Sequence, residues 1–316
     1  AARRKPRWEP VIHRGPAIMG SDRVPFPAPS TVNPPPPRPA PRPMRRGVAL
    51  LPSLFTVANL GMGWYAIQQC VVALQASAPA TLLDTAAKAI GWAILLDGLD
   101  GRIARMANAS SAFGREFDSL ADVISFGVAP AILAYVWGVR FLLASHAASV
   151  GLNRAAQIIA FLFVVAGAAR LARFNIDADE EVPRAPSNPG KPGKRYFVGL
   201  PIPAAAGVIA AVVHFFASPA FLFNTVNESP VLAGVWLAAV LGLGWWMVST
   251  WRFYSFKDID LGRRHPYVVM VIIAALFAGI WYYSEVMLLA VAVLYVGTAL
   301  FWRLSHHLRP RRRRAV

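Results

Sequence analysis

The chain has 316 residues, 56% of them hydrophobic and only 15% charged, against about 25% charged in ordinary soluble domains, which argues against a water-soluble globule. Lys and Arg outnumber Asp and Glu by 32 to 16, a formal net charge of +16; in a polar protein that excess would indicate nucleic acid, but beside long apolar runs it indicates lipid headgroups, and no nucleic-acid partner is expected. The single cysteine, Cys70, excludes an internal disulfide and any multi-cysteine zinc or iron–sulfur site.

Residues 1–47 carry 13 of the 26 prolines and ten basic residues. This segment reads as a disordered Pro/Arg-rich tail. Its basic groups suit anionic headgroups, each contributing about 1 kcal/mol near the surface; a solvated tail without a specific partner is the competing reading. From Val48 onward, apolar stretches of about 17 to 25 residues recur, the length a helix needs to cross roughly 30 Å of hydrocarbon at about 1.5 Å per residue. Eight are predicted: 48–75, 82–106, 115–138, 154–174, 198–217, 230–251, 267–284 and 286–303. The expected fold class is therefore all-α, a polytopic membrane helix bundle of eight spans over 48–303, followed by a basic tail over 304–316. Only Ser284 and Glu285 separate the last two spans, which leaves a single re-entrant hairpin open there.

The distribution of Lys and Arg tests this layout, because cytoplasmic loops hold the excess of positive charge. With eight spans, only Lys88, Arg140 and Arg154 fall on one side and all the other basic residues on the opposite side. Both termini are thus expected in the cytoplasm, with the chain in the cytoplasmic (inner) membrane.

Of the 16 acidic residues, five fall between positions 97 and 122, at the end of one predicted span and the start of the next. An ionised carboxylate at the membrane centre costs roughly 2.5 to 3.5 kcal/mol even on the lenient insertion scale, so Asp97, Asp100, Asp118 and Asp122 need a cation. At about 100° per residue, Asp97 and Asp100 lie about 60° apart on one helix, and Asp118 and Asp122 about 40° apart on the next. Two antiparallel helices joined through Asn108 to Phe113 can aim all four into one pocket. Like charges so close call for neutralisation by divalent metal, and hard oxygen ligands without Cys or His favour Mg²⁺ or Mn²⁺ over zinc. Small residues surround them: Gly98, Gly101, Ala104, Ala107, Gly114 and Ala121. They permit close helix packing or close approach of a ligand. Arg102, Arg105 and Arg115 nearby can meet phosphate oxygens, which favours a nucleotide or diphosphate.

The run Asp97-Gly-Leu-Asp100-Gly101-Arg-Ile-Ala104-Arg105, continued by Gly114, Asp118 and Asp122, matches D-x2-D-G-x2-A-R-x8-G-x3-D-x3-D throughout. It resembles the signature of the CDP-alcohol phosphotransferases. Three further segments are similar to the phosphatidylserine synthase branch of that family: residues 51–61 (LPSLFTVANLG), 170–175 (RLARFN) and 199–207 (GLPIPAAAG). The resemblance spans roughly residues 48–265 and implies transfer of a phosphatidyl group from CDP-diacylglycerol to an alcohol, L-serine in that branch, with release of CMP. It implies that Asp97, Asp100 and Asp118 hold the metal. Asp122 would be the general base and also touch metal. Gly101 and Ala104 would let the nucleotide approach, and Arg105 would pair with its phosphates. A homodimer is also implied, among membrane lipids.

Thr56 and Asn59, one helical turn apart on the first span, are candidate nucleotide contacts or, equally, polar links between helices. Gly114 would allow the turn that brings Asp118 inward. Serine carries a carboxylate, so its pocket should contain a cation. Arg170 and Arg173, at i and i+3, are the candidates, against the reading that they are interfacial arginines. Two other functions compete: the same reaction with inositol phosphate, glycerol phosphate or choline, and an ion-coupled transporter, which would keep its carboxylates at the interface of repeated halves.

Overall fold

A computed structural model describes residues 50–75, 79–107, 112–140, 149–179, 197–218, 230–249, 252–253 and 266–308. The tail over 1–47, the loop residues 180–196 and 254–265, and the last eight residues lie outside these. The elements are α1 (Leu50–Ala73), α2 (Thr81–Ala107), α3 (Ala112–Asp122), a π-helical turn (Val123–Val128), α4 (Ala129–Arg140), α5 (Ser149–Asp179), β1 (Phe197–Val198), α6 (Ile202–Ala217), α7 (Pro230–Val248), β2 (Arg252–Phe253), α8 (Pro266–Tyr282) and α9 (Ser284–Leu308). Each predicted apolar stretch coincides with helix among the described residues, and the fold is an all-α bundle. Among the described residues, three stretches are long and apolar enough to cross a membrane: Phe113–Val139, Val150–Ile176 and Val231–Val248.

The helices approach closely because the buried faces are built largely from small residues. Ala66, Ala86, Ala93, Ala205 and Ala206 are buried, with Phe126, Leu133, Phe163 and Ile209 filling the space between; small side chains let backbones meet where lipid supplies no hydrophobic drive. α1 packs on α2, α2 on α6, and α5 on α7. At two crossings a glycine permits the close approach: a Cβ on Gly63 would stand 2.5 Å from Ser125 Oγ and 2.7 Å from its Cα, and one on Gly167 would displace the end of the Ile202 side chain, 2.5 Å away. Trp64, Trp92 and Trp245 face outward, as expected for side chains at a lipid surface.

Two details depart from the sequence reading. Residues 198–201 are not helical. Val198 pairs with Arg252, and Phe197 with Phe253, in a short antiparallel bridge, and Leu200 N–H donates to Trp246 O at 3.0 Å. Gly199 takes φ +80° with its Cα against the Met247 carbonyl, where a Cβ would lie 2.5 Å from that oxygen; Pro201 then caps α6 at its start. The third stretch, moreover, is not one uniform helix, because six residues after Asp122 wind as π. Hydropathy periodicity cannot register one extra residue in a turn, and such bulges tend to sit at functional sites.

At one end of α2 a polar cluster ties three helices together. The Asp84 carboxylate receives Lys88 Nζ at 2.7 Å and also meets His214 Nδ1 of α6. His214 Nε2 is hydrogen-bonded to Ser284 Oγ of α9 at 2.9 Å, and Ser218 Oγ donates to Glu285 Oε1 at 2.7 Å. Asp84, His214 and Ser218 are buried. Glu285, in the first turn of α9, also complements that helix's N-terminal dipole.

Candidate active site

The other end of α2 has the opposite character. α2 runs from Asp84 to Asp97 in 13 residues, about 20 Å of helix, and there meets α3 and α1. One oxygen from each of Asp97, Asp118 and Asp122 lies within 4.8 Å of the others. Asp118 and Asp122 are one turn apart on α3, so the helical spacing aims both at Asp97; of the four carboxylates expected in one pocket, these three form the cluster. Asp100 is buried and stands apart from this trio, with Thr56 Oγ1 donating to its Oδ2 at 2.5 Å.

α1 supplies the polar wall. Asn59, fully buried, directs its Nδ2 to Asp122 Oδ1 at 3.5 Å. Its backbone carbonyl accepts a 3.1 Å hydrogen bond from Ser125 Oγ inside the π turn, and Gly63, one turn further, leaves the room Ser125 occupies. The π turn is thereby held to α1 immediately after Asp122. At the other flank, Asn175 Nδ2 near the end of α5 donates to Ser119 Oγ at 2.9 Å, bracing α3 beside Asp118. Sequence reasoning passed over Ser125 and Ser119. A serine inside an apolar span that also faces a glycine on another helix was the available signal for Ser125; for Ser119 it was adjacency to the acidic motif.

Several polar atoms in this end have no hydrogen-bond partner. Asn59 Oδ1, Asp100 Oδ1, Asp118 Oδ1 and Arg170 Nε are all buried and unsatisfied. Unpaired buried polar atoms are rare in native proteins, each costing about 1–3 kcal/mol, and four around one cluster mark a place meant for a ligand. The glycines agree. A Cβ on Gly98 or Gly101 would meet nothing within 4 Å, so these two are not explained by helix packing and leave open space beside the carboxylates. An all-oxygen trio beside the unsatisfied oxygens of Asp118 and Asp100 fits a hard divalent cation.

The remaining predicted residues divide. Thr56 and Asn59 do face the carboxylates, as links between helices α1, α2 and α3. Gly114 lies in the first turn of α3. Ala104 and Arg105 belong to the last turn of α2, and the description there covers the helix path alone. Arg102 and Arg115 are exposed. Arg170 is half-buried on α5 with its Nε lacking a hydrogen-bond partner, whereas Arg173 is exposed; the structure separates two arginines that spacing made equivalent.

Residues 49–246 match the CDP-alcohol phosphatidyltransferase family model. The chain belongs to that family. Among curated relatives, a Helicobacter pylori protein named CDP-diacylglycerol–serine O-phosphatidyltransferase is 34% identical over 230 residues, 72% of this chain and 81% of that one. A Saccharomyces cerevisiae protein of the same name is 35% identical over half of each chain. An archaetidylserine synthase from Methanothermobacter thermautotrophicus is 34% identical over 51% of this chain and 56% of its own. The family match covers α1 to α7 and with them every carboxylate of the cluster; α8 and α9 follow it.

Proposed function

We propose that the protein transfers the phosphatidyl group of CDP-diacylglycerol to L-serine, forming phosphatidylserine and releasing CMP. The observation that carries this reading is the trio Asp97, Asp118 and Asp122 with the unsatisfied oxygens of Asp118 and neighbouring Asp100, in a chain whose relatives are named for that reaction. Asp97, Asp118 and Asp122, with Asp100 one turn from Asp97, would hold Mg²⁺ or Mn²⁺. When bound, the ion screens the diphosphate and stabilises charge developing on the CMP leaving group.

The chain's own residues carry the rest. Thr56 fixes the Asp100 carboxylate by its hydrogen bond and Asn59 orients Asp122. By the family resemblance, Gly101 and Ala104 would let the cytidine nucleotide approach, Arg105 would pair with its phosphates, and Gly114 would allow the turn that brings Asp118 inward. Asp122 is the base: it takes the proton of the serine hydroxyl as that oxygen attacks the phosphorus bearing the diacylglycerol. Arg170 holds the serine carboxylate through paired, charge-assisted hydrogen bonds; exposed Arg173 serves the headgroup surface. The bias of Lys and Arg supports an active site and both termini on the cytoplasmic side, and family resemblance supports a homodimer.

The test offers purified protein CDP-diacylglycerol with serine, inositol phosphate, glycerol phosphate or choline and follows CMP. Metal-dependent CMP release with serine alone is expected. Release with another alcohol would reassign the acceptor, and no release with any of them would refute the transferase reading.

A further inference from the structure

α3 carries two of the three clustered carboxylates on only 11 residues. It packs mainly on α1 and on the π turn, while Phe113, Glu116 and Leu120 are exposed. Taking Asp118 as the origin of a helical wheel, Asp122 stands at about 40° and the exposed residues at about 160–220°, opposite the acidic side. A short helix held mainly along one side keeps freedom to rotate about its axis. Rotation is what this site tolerates least. With side-chain atoms about 5–6 Å from the axis, a turn of about 10° moves a carboxylate oxygen by about 1 Å, whereas metal–oxygen distances hold within about 0.2 Å. Mutual repulsion of the carboxylates favours that rotation.

Ser119 lies at about 100° on the same wheel, on the flank between the acidic side and the exposed one. It accepts the 2.9 Å hydrogen bond from Asn175 Nδ2. Asn175 is half-buried in a stretch of α5 where Arg173, Phe174 and Ile176 are exposed, so the end of that long helix turns this one amide inward, onto α3. Asn59 of α1 meets α3 at Asp122, and Asn175 of α5 meets it at Ser119, about 60° further around the wheel. Two points of attachment on two different helices fix a rotation that one leaves free.

We propose that Asn175 is a positioning residue for the metal centre: its hydrogen bond to Ser119 fixes the rotation of α3 and so presets Asp118 and Asp122 against Asp97. The inference rests on the divalent-metal reading of the trio given above. A ligand set held in place before the ion arrives binds it with less loss of freedom, and groups beyond the ligands set that order.

The experiment titrates Mn²⁺ alone into purified full-length protein in detergent, without substrate, and reads the bound ion by electron paramagnetic resonance. Asn175→Ala and Ser119→Ala remove the same bond from opposite sides. Each should raise the Mn²⁺ dissociation constant about tenfold, the low end for groups that orient metal ligands, and the double variant should raise it no further. A bond that served folding alone would lower the melting temperature of the variants and leave the Mn²⁺ affinity of the folded protein unchanged, which would overturn the proposal. Effects that add in the double variant would overturn it as well. Should one single variant fail to fold, the other decides. A wild type that binds no Mn²⁺ refutes the metal reading and this proposal together; equal binding by wild type and variants refutes this proposal alone.

Discussion

The two polar ends of α2 follow opposite rules. Around Asp84 charges and hydrogen-bond groups find partners: carboxylate with ammonium and imidazole, imidazole with hydroxyl, hydroxyl with carboxylate. Around Asp97 like charges crowd together, oxygens stay unsatisfied, and glycines leave space. Burial is similar, so burial alone does not mark function. What separates a structural polar cluster from a reactive one is whether the protein satisfies it unaided, since a buried polar group left unpaired opposes folding and persists where a ligand completes it.

That contrast can be broken most directly at the carboxylates. Asp97→Asn and Asp118→Asn should each lower CMP release about a thousandfold, the several kcal/mol that a bound divalent ion contributes, and excess chelator should do the same to the wild type. Thermal unfolding of these variants in detergent should be unchanged or shifted upward, because a repulsive charge has gone. Asp122→Asn should lose about a hundredfold or more in kcat, the range of general-base removal, with little change in the KM for CDP-diacylglycerol. Near-normal turnover in either case would place the chemistry elsewhere.

The opposite cluster should respond in stability. Asp84→Ala breaks a buried, paired network and should lower unfolding stability by about 3 kcal/mol or more, while turnover per folded molecule stays near wild type; a large kinetic loss without destabilisation would erase the distinction between the ends. Glycines give a finer version of the comparison. Gly63→Ala drives a Cβ into Ser125 and should cost about 1–3 kcal/mol by overpacking, with reduced kcat as the π turn shifts under Asp122. Gly101→Ala meets open space and should stabilise slightly, by up to about 1 kcal/mol of helix propensity, while raising the KM for CDP-diacylglycerol. The smallest effect belongs to Lys88→Met: half-exposed, its pair with Asp84 should contribute under about 1 kcal/mol.

Much of this protein was legible before any coordinates. Apolar stretches of spanning length fixed the helical class because a backbone in hydrocarbon must satisfy its own hydrogen bonds. The acidic motif announced its chemistry because helical spacing alone brings Asp97 level with Asp100, and Asp118 with Asp122, on one face each. Tertiary structure decided everything that depends on how separate helices rotate against each other. It bonded Asp100 to Thr56, half-buried Arg170 while leaving Arg173 exposed, wound the π turn after Asp122, and opened the backbone at Gly199. It also brought His214, Asp84 and Ser284 together from three helices. Local sequence encodes the period of a helix and the polarity of its faces; the contact between two faces distant in the chain is a packing result, written in no single segment.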